Sequence, residues 1–157
     1  HVMAKIIYGE RIGKQAILKV GCAAVIFDPN RQKVLLTRRT DNGRWCLPGG
    51  GMDAGESAAE ACAREVWEET GLIVAIDKLI GVYTSPHRIT EYIDGNRFQF
   101  VSFCFEASVI GGELGLSDET TEVGYFSQGE IETIDLMENH VERIIDAFAA
   151  QVATFVR

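Results

Sequence analysis

The sequence carries no surplus of basic residues: 15 Lys and Arg stand against 23 Asp and Glu, a net charge of −8 with a pI near 4.9. Duplex nucleic acids are held by a broad basic face, and so acidic a chain lacks one. A small nucleotide can still bind, because a metal and a few arginines neutralise a diphosphate locally. No apolar run is long enough to cross a bilayer and no leader peptide opens the chain, which points to a cytoplasmic protein without a membrane partner. The four cysteines, Cys22, Cys46, Cys62 and Cys104, form no CxxC or CxxH pair. Their apolar neighbours predict ordinary buried thiols in a reducing compartment. Also missing are the Gly-Lys-Ser/Thr of a P-loop, the GxGxxG of a dinucleotide site and the GxSxG of a nucleophile elbow. No repeat or low-complexity linker divides the 157 residues, and 46% hydrophobic content suffices for one core. The expectation is a single domain over residues 3–157, with His1-Val2 ahead of Met3 read as a remnant of expression.

What is present concentrates in one stretch. Gly49-Gly50-Gly51-Met52-Asp53-Ala54-Gly55-Glu56 leads into a helix that begins after Ser57 and is stopped by Gly71. Ser57 and Glu60 have the spacing of a capping box. At about 100° per residue, Glu65, Glu68 and Glu69 share one face of the helix, while Ala59, Cys62, Ala63 and Val66 form an apolar stripe on another. Like charges at i,i+4 repel by a few tenths of a kcal/mol, so a cation is expected to offset them. Hard oxygen ligands on one face suit Mg²⁺, with Mn²⁺ as the alternative. A merely solvated acidic face would leave the preceding glycines and Arg64 unexplained.

Gly50, five residues, Glu56, seven residues and Arg64-Glu65-Val66-Trp67-Glu68-Glu69-Thr70-Gly71-Leu72 resemble the complete signature of the Nudix hydrolases. The resemblance implies the family's α/β/α sandwich and the metal-dependent cleavage of a nucleoside diphosphate linked to another moiety, releasing a nucleoside monophosphate. It also implies that Glu68 and Glu69 are the principal metal ligands, with the Gly49 carbonyl as a further one. Glu65 would ligate metal or act as base, Arg64 would hold its neighbours in place, and Glu56 would join that network. Where the family takes its base from a loop, Glu119, ahead of Tyr125-Phe126, is the candidate, and Glu122 is the fallback. A basic residue near Arg38 and Arg39 would meet a phosphate. A homodimer is implied by family habit alone. The alternative is a relative that has lost catalysis and serves as a nucleotide-sensing or protein-binding module, although such proteins usually lack glutamates that are all present here.

Elsewhere the pattern is mainly of strands. Residues 4–15 allow a short edge strand, Ala16 to Asp28 read as a buried strand, and Asp28-Pro29-Asn30 turn into a second strand over Lys33 to Arg39. Alternation sends Arg38 and Arg39 to opposite faces, so at most one meets the cleft. Trp45 is placed in the core rather than against a base. Ile73 to Thr84 is strand-like, and Asp94-Gly95-Asn96 joins Ile89–Ile93 to Arg97–Ala107 in a hairpin. Phe98, Phe100, Phe103 and Phe105 break parity, as in a central strand covered on both faces. Gly111-Gly112 opens a loop, and Val123 to Phe126 is a last strand. Ser127 and Glu130 cap a short helix to about Ile134, and an amphipathic helix covers Glu138 to Phe155. This order suits a mixed sheet between helical layers, an α/β fold. Substrate is less legible. Pro86 lies fifteen residues beyond Gly71, as in Nudix enzymes acting on ADP-ribose, whereas the chain length suits nucleoside triphosphate (MutT-like) hydrolases.

Overall fold

The computed structural model describes residues 4–157, so His1-Val2 and Met3 lie outside the described residues. Strand β8 (Arg97–Gly112) is the spine. On one edge it pairs in parallel with β2 (Ile17–Val25), and on the other antiparallel with β7 (Arg88–Tyr92) and β6 (Leu72–Tyr83). The sheet ends in β1 (Ala4–Tyr8) beyond β7, and in β5 (Gly49–Gly51) beyond β2. A second sheet sets β3 (Lys33–Arg39) between β4 (Trp45–Cys46) and β9 (Thr120–Ser127).

Alternation along β2 shows why two layers are needed. Cys22, Ala24 and Ile26 pack with Ala61, Cys62 and Val66 of helix α1 (Ala58–Thr70). Ala23 and Val25, one residue out of phase, pack with Ile144 and Ala147 of helix α3 (Glu138–Ala149). The parity break in β8 has the same cause: Phe105 joins the α1 side and Cys104 the α3 side. This is the α/β/α sandwich with a mixed sheet. Trp45 is core, edge-on to Phe126 at 4.8 Å between centroids. All four cysteines are free and buried.

Local signals are realised where they depend on near neighbours. Both capping boxes form, at Ser57–Glu60 and at Ser127–Glu130, the latter opening α2 (Gln128–Ile131). Asp28 Oδ1 accepts from the amides of Gln32 and Lys33 in the predicted turn, and Gly95, at φ +88°, closes the hairpin.

Boundaries set by long-range pairing differ from expectation. The C-terminal helix stops at Ala149 rather than Phe155, because Ala150 adopts a left-handed cap and the chain extends so that β10 (Phe155–Val156) pairs in parallel with β6. The strand from residue 17 is buried only in its second half, with Ile17 69% and Leu18 66% exposed. Gly111 and Gly112 belong to β8, paired with Ile73 and Leu72, rather than to a loop. α2 ends at Ile131, short of Ile134. The fully buried side of α1 is Ala61, Cys62, Val66 and Thr70, with Ala59 and Ala63 only partly covered. No helix among the described residues is long and apolar enough to cross a membrane.

Candidate active site

The glycines of β5 run antiparallel to β2 and pass directly under α1. A methyl group on Gly50 would lie 2.5–2.7 Å from the Glu65 carboxylate, and one on Gly49 would collide with the Cys22 carbonyl. Glycine is required here by the close approach of helix, strand and strand. The Gly49 N–H donates to Glu69 at 3.0 Å, which ties the last turn of α1 to β5.

Arg64 organises the acidic face. Its guanidinium donates to both Glu56 oxygens (2.6 and 3.0 Å), to Glu65 (3.1 Å), to Glu68 (3.2 Å) and to the Gly51 carbonyl (3.0 Å). The bidentate pair with Arg64, helped by the Asp53 amide, holds the Glu56 carboxyl down to about 2. Arg64 is in turn raised, first by Glu56. Through these bonds it fixes the rotamers of the neighbouring carboxylates.

Glu65, Glu68, Glu69 and Glu119 line one cleft of about 260 Å³, with Thr37, Arg39, Tyr92 and Thr120. Burial raises the Glu69 carboxyl to about 8, and Glu65 and Glu119 push the same way against the Gly49 amide and Arg39. Burial also raises Glu65, again with Glu68 and Glu119 adding repulsion against Arg64. Glu119 reaches the cleft from the loop before β9, anchored by its amide to Ser117 Oγ and by its carbonyl to the Thr40 amide. The neighbouring Thr120 hydroxyl donates to the Glu69 carbonyl at 3.2 Å.

The two arginines of β3 separate as alternation requires. Arg39 faces the cleft and is clamped by Asp41 at 2.6 and 2.7 Å; burial lowers its pKa, but Asp41 more than offsets that and the net shift is upward. Arg38 turns to the Gly43 carbonyl and to Glu122, both at 2.8 Å, and is not among the cleft residues. Glu122 is thereby placed with Arg38 rather than with the helix glutamates. Pro86 accepts from the Gly13 amide in its loop and does not line the cleft.

A second cavity, about 130 Å³, shares Arg39, Cys46, Gly49–Gly51 and Tyr92 with the cleft, and adds Lys19, Phe100, Asn139, His140 and Arg143. His140 Nδ1 accepts from the Leu47 amide, and burial, aided by Arg143 and three other arginines, drives its pKa well below the ordinary value, so the ring is neutral. Sequence reasoning missed these residues. Those of α3 were read as one amphipathic helix, and nothing local shows that this helix closes the cleft.

The donor set fits a hard divalent ion. Carboxyls raised by burial, with repulsion between them adding to it, bind a cation in exchange for a proton, and all the donors are oxygens. Among the described residues no three His, Cys, Asp or Glu side chains already form a metal cage. The reason is visible in the hydrogen bonds, which turn Glu69 to the Gly49 amide and Glu65 and Glu68 to Arg64.

A family model for the NUDIX domain matches residues 18–148. The chain belongs to the Nudix family. Residues of the chain are 42% identical over 97 positions to an ADP-ribose pyrophosphatase of Methanocaldococcus jannaschii, covering 60% of the chain and 54% of that protein. A MutT-like protein of Streptomyces ambofaciens is 36% identical over 115 positions, covering 73% and 68%. A putative 8-oxo-dGTP diphosphatase of Bacillus subtilis is 40% identical over 110, covering 69% and 67%. The chain thus spans about half the length of the first and about two thirds of the other two. A Nudix hydrolase structure from Nitrosomonas europaea superposes with a TM-score of 0.71 at 26% identity, over 88% of this chain and 78% of that one. The glycine strand, α1 and the Glu119 loop all lie within the matched Nudix domain.

Proposed function

We propose that this domain is a metal-dependent pyrophosphohydrolase that cleaves a small nucleoside diphosphate derivative between its phosphates and releases a nucleoside monophosphate. The observation that carries the reading is the convergence of Glu65, Glu68, Glu69 and Glu119 on one cleft beside a glycine strand. Mg²⁺, or Mn²⁺, would be held by Glu65, Glu68, Glu69 and the Gly49 carbonyl. Once bound, it neutralises the diphosphate and lowers the pKa of water.

The chain's own residues do the rest. Arg64 keeps Glu65 and Glu68 in fixed rotamers, Arg39 offers the cleft's guanidinium among the described residues to a phosphate oxygen, and Glu119 accepts the proton of the attacking water, with Glu65 as the second candidate. The cleft holds a small substrate, and the negative charge disfavours a polymer. Relatives named for ADP-ribose and for nucleoside triphosphates both support the diphosphate chemistry.

The test is a nucleotide panel assayed with Mg²⁺ and with Mn²⁺, every product identified. ADP-ribose should give AMP and ribose 5-phosphate, or a triphosphate should give a monophosphate and pyrophosphate. Release of orthophosphate would contradict the bond assignment. Binding without turnover of any diphosphate would favour a sensing module.

A further inference from the structure

The α3 wall of the second cavity carries charge that the protein itself does not neutralise. Arg143 is 5% exposed, and its Nε is a buried donor with no hydrogen-bond partner. Among the described residues its guanidinium makes no ion pair either; its neighbour is the Tyr83 ring, 5.3 Å from Cζ to the centroid. Arg88 of β7 lines a small adjoining space that shares Ser102, Asn139 and Arg143 with the second cavity and adds Ser85, and its side chain likewise makes no ion pair or hydrogen bond among the described residues. The carboxylates that might serve are taken or turned away. Asp146 is held by Tyr83 and Arg157, Glu138 by Arg44, and Glu142 is exposed. Burial lowers the Arg143 pKa, with Arg88 adding to it against the weaker opposing pull of Cys104, Tyr83 and Glu142.

Asn139, one turn before Arg143, has a buried Oδ1 that is also unpartnered among the described residues. Turning its amide over preserves shape and presents a donor instead. Arg143, Arg88, Asn139 and the Ser85 and Ser102 hydroxyls are then all able to donate into this space. A buried guanidinium without a counter-charge is strongly disfavoured, and two facing one another more so. A neutral base edge would supply acceptors but leave both charges uncompensated, whereas an anion supplies both. The adjoining space, about 20 Å³, takes a single oxygen-sized group, and the 130 Å³ cavity that shares its Ser102, Asn139 and Arg143 wall leads back to Gly49–Gly51.

We propose that Arg143 and Arg88, with Asn139, bind a phosphate monoester of the substrate that lies outside the scissile diphosphate. This rests on the acidic cleft being the diphosphate site. The phosphate is either the terminal one of a nucleoside triphosphate or one carried on a ribose of a nucleoside diphosphate sugar. Unmodified ADP-ribose has neither.

The experiment compares ADP-ribose, 2′-phospho-ADP-ribose and ATP, which share one base, in the wild type, Arg143→Gln and Arg88→Gln. One phosphorylated substrate should exceed ADP-ribose by about 10- to 100-fold in kcat/KM, mostly through KM, as expected for charge-assisted hydrogen bonds. Either variant should collapse that ratio to within about threefold, and the favoured arm names the source of the phosphate. A wild-type ratio near one, or a ratio that survives both variants, overturns the proposal. Calorimetric titration of inorganic phosphate into metal-free protein reads the subsite separately. The wild type should bind, and the variants should weaken binding about 10-fold or more; no binding by the wild type counts against the subsite. Arg88 is the less buried position and covers the case in which Arg143→Gln does not fold. If no diphosphate is hydrolysed at all, the hydrolase reading fails, and the phosphate titration still judges the subsite.

Discussion

Glu69→Gln should stabilise the metal-free protein and abolish its activity. The Glu69 carboxyl is raised from 4.5 to about 8 by burial and by Glu65 and Glu119. Because the folded value lies above the unfolded one, the proton favours the folded state. That contribution is complete below about 4.5 and is lost as pH rises towards 8. At about 1.4 kcal/mol per unit, the loss at pH 8 has an upper bound of roughly 5 kcal/mol, and water in the open cleft reduces it to about 2. Gln keeps an acceptor for the Gly49 amide and has no charge to desolvate. For a chain of this size, about 2 kcal/mol corresponds to a Tm rise of roughly 6 °C. Thermal melts with a chelator at pH 8 and pH 5 measure it, and the two proteins should nearly converge at pH 5, where Glu69 is protonated in the folded protein. Turnover with Mg²⁺ at pH 8 should fall by about 10²-fold or more. A variant that melts no higher than wild type at pH 8, or a Tm gap independent of pH, would refute the electrostatic account of this cleft.

Glu119→Ala should cost about 10²-fold in kcat at saturating Mg²⁺ and alter the pH profile, while Glu122→Ala, which removes only an exposed partner of Arg38, should stay within about threefold; the reverse ranking moves the loop role to Glu122. Gly50→Ala drives a methyl into the Glu65 carboxylate and should lower kcat by about 10²-fold, as a misplacement of about 1 Å can. Wild-type kinetics in that variant would show that Glu65 does not need its observed position.

The part of the site legible in advance is the part written in consecutive residues. The capping box, the shared face of Glu65, Glu68 and Glu69, and the stop at Gly71 are local consequences of a 3.6-residue period and of cap chemistry. The opposite placement of Arg38 and Arg39 follows from the period of two in a strand, but which of them meets the cleft does not. That depended on β9 pairing with β3, which brings Glu122 against Arg38 and leaves Arg39 inward with Asp41. The C-terminal helix was overextended because Ala150-Gln151-Val152 has no strong local stop, and the chain leaves the helix there to pair with β6.

The sequence by itself determined the chemistry class: a glycine turn, an arginine and spaced carboxylates on one helix face, framed by alternating strands that demand cover on two sides. Tertiary structure alone decided the depth of the site and its far wall. Helix α1 packs so tightly on β5 that Glu69 is largely covered and its carboxyl raised to about 8, and α3 lies over the other end with Arg143 Nε and Asn139 Oδ1 unpartnered among the described residues. The reason is that helical and strand periods report which residues share a face, whereas burial, charge compensation and cavity shape depend on what another segment, distant in the chain, lays against that face.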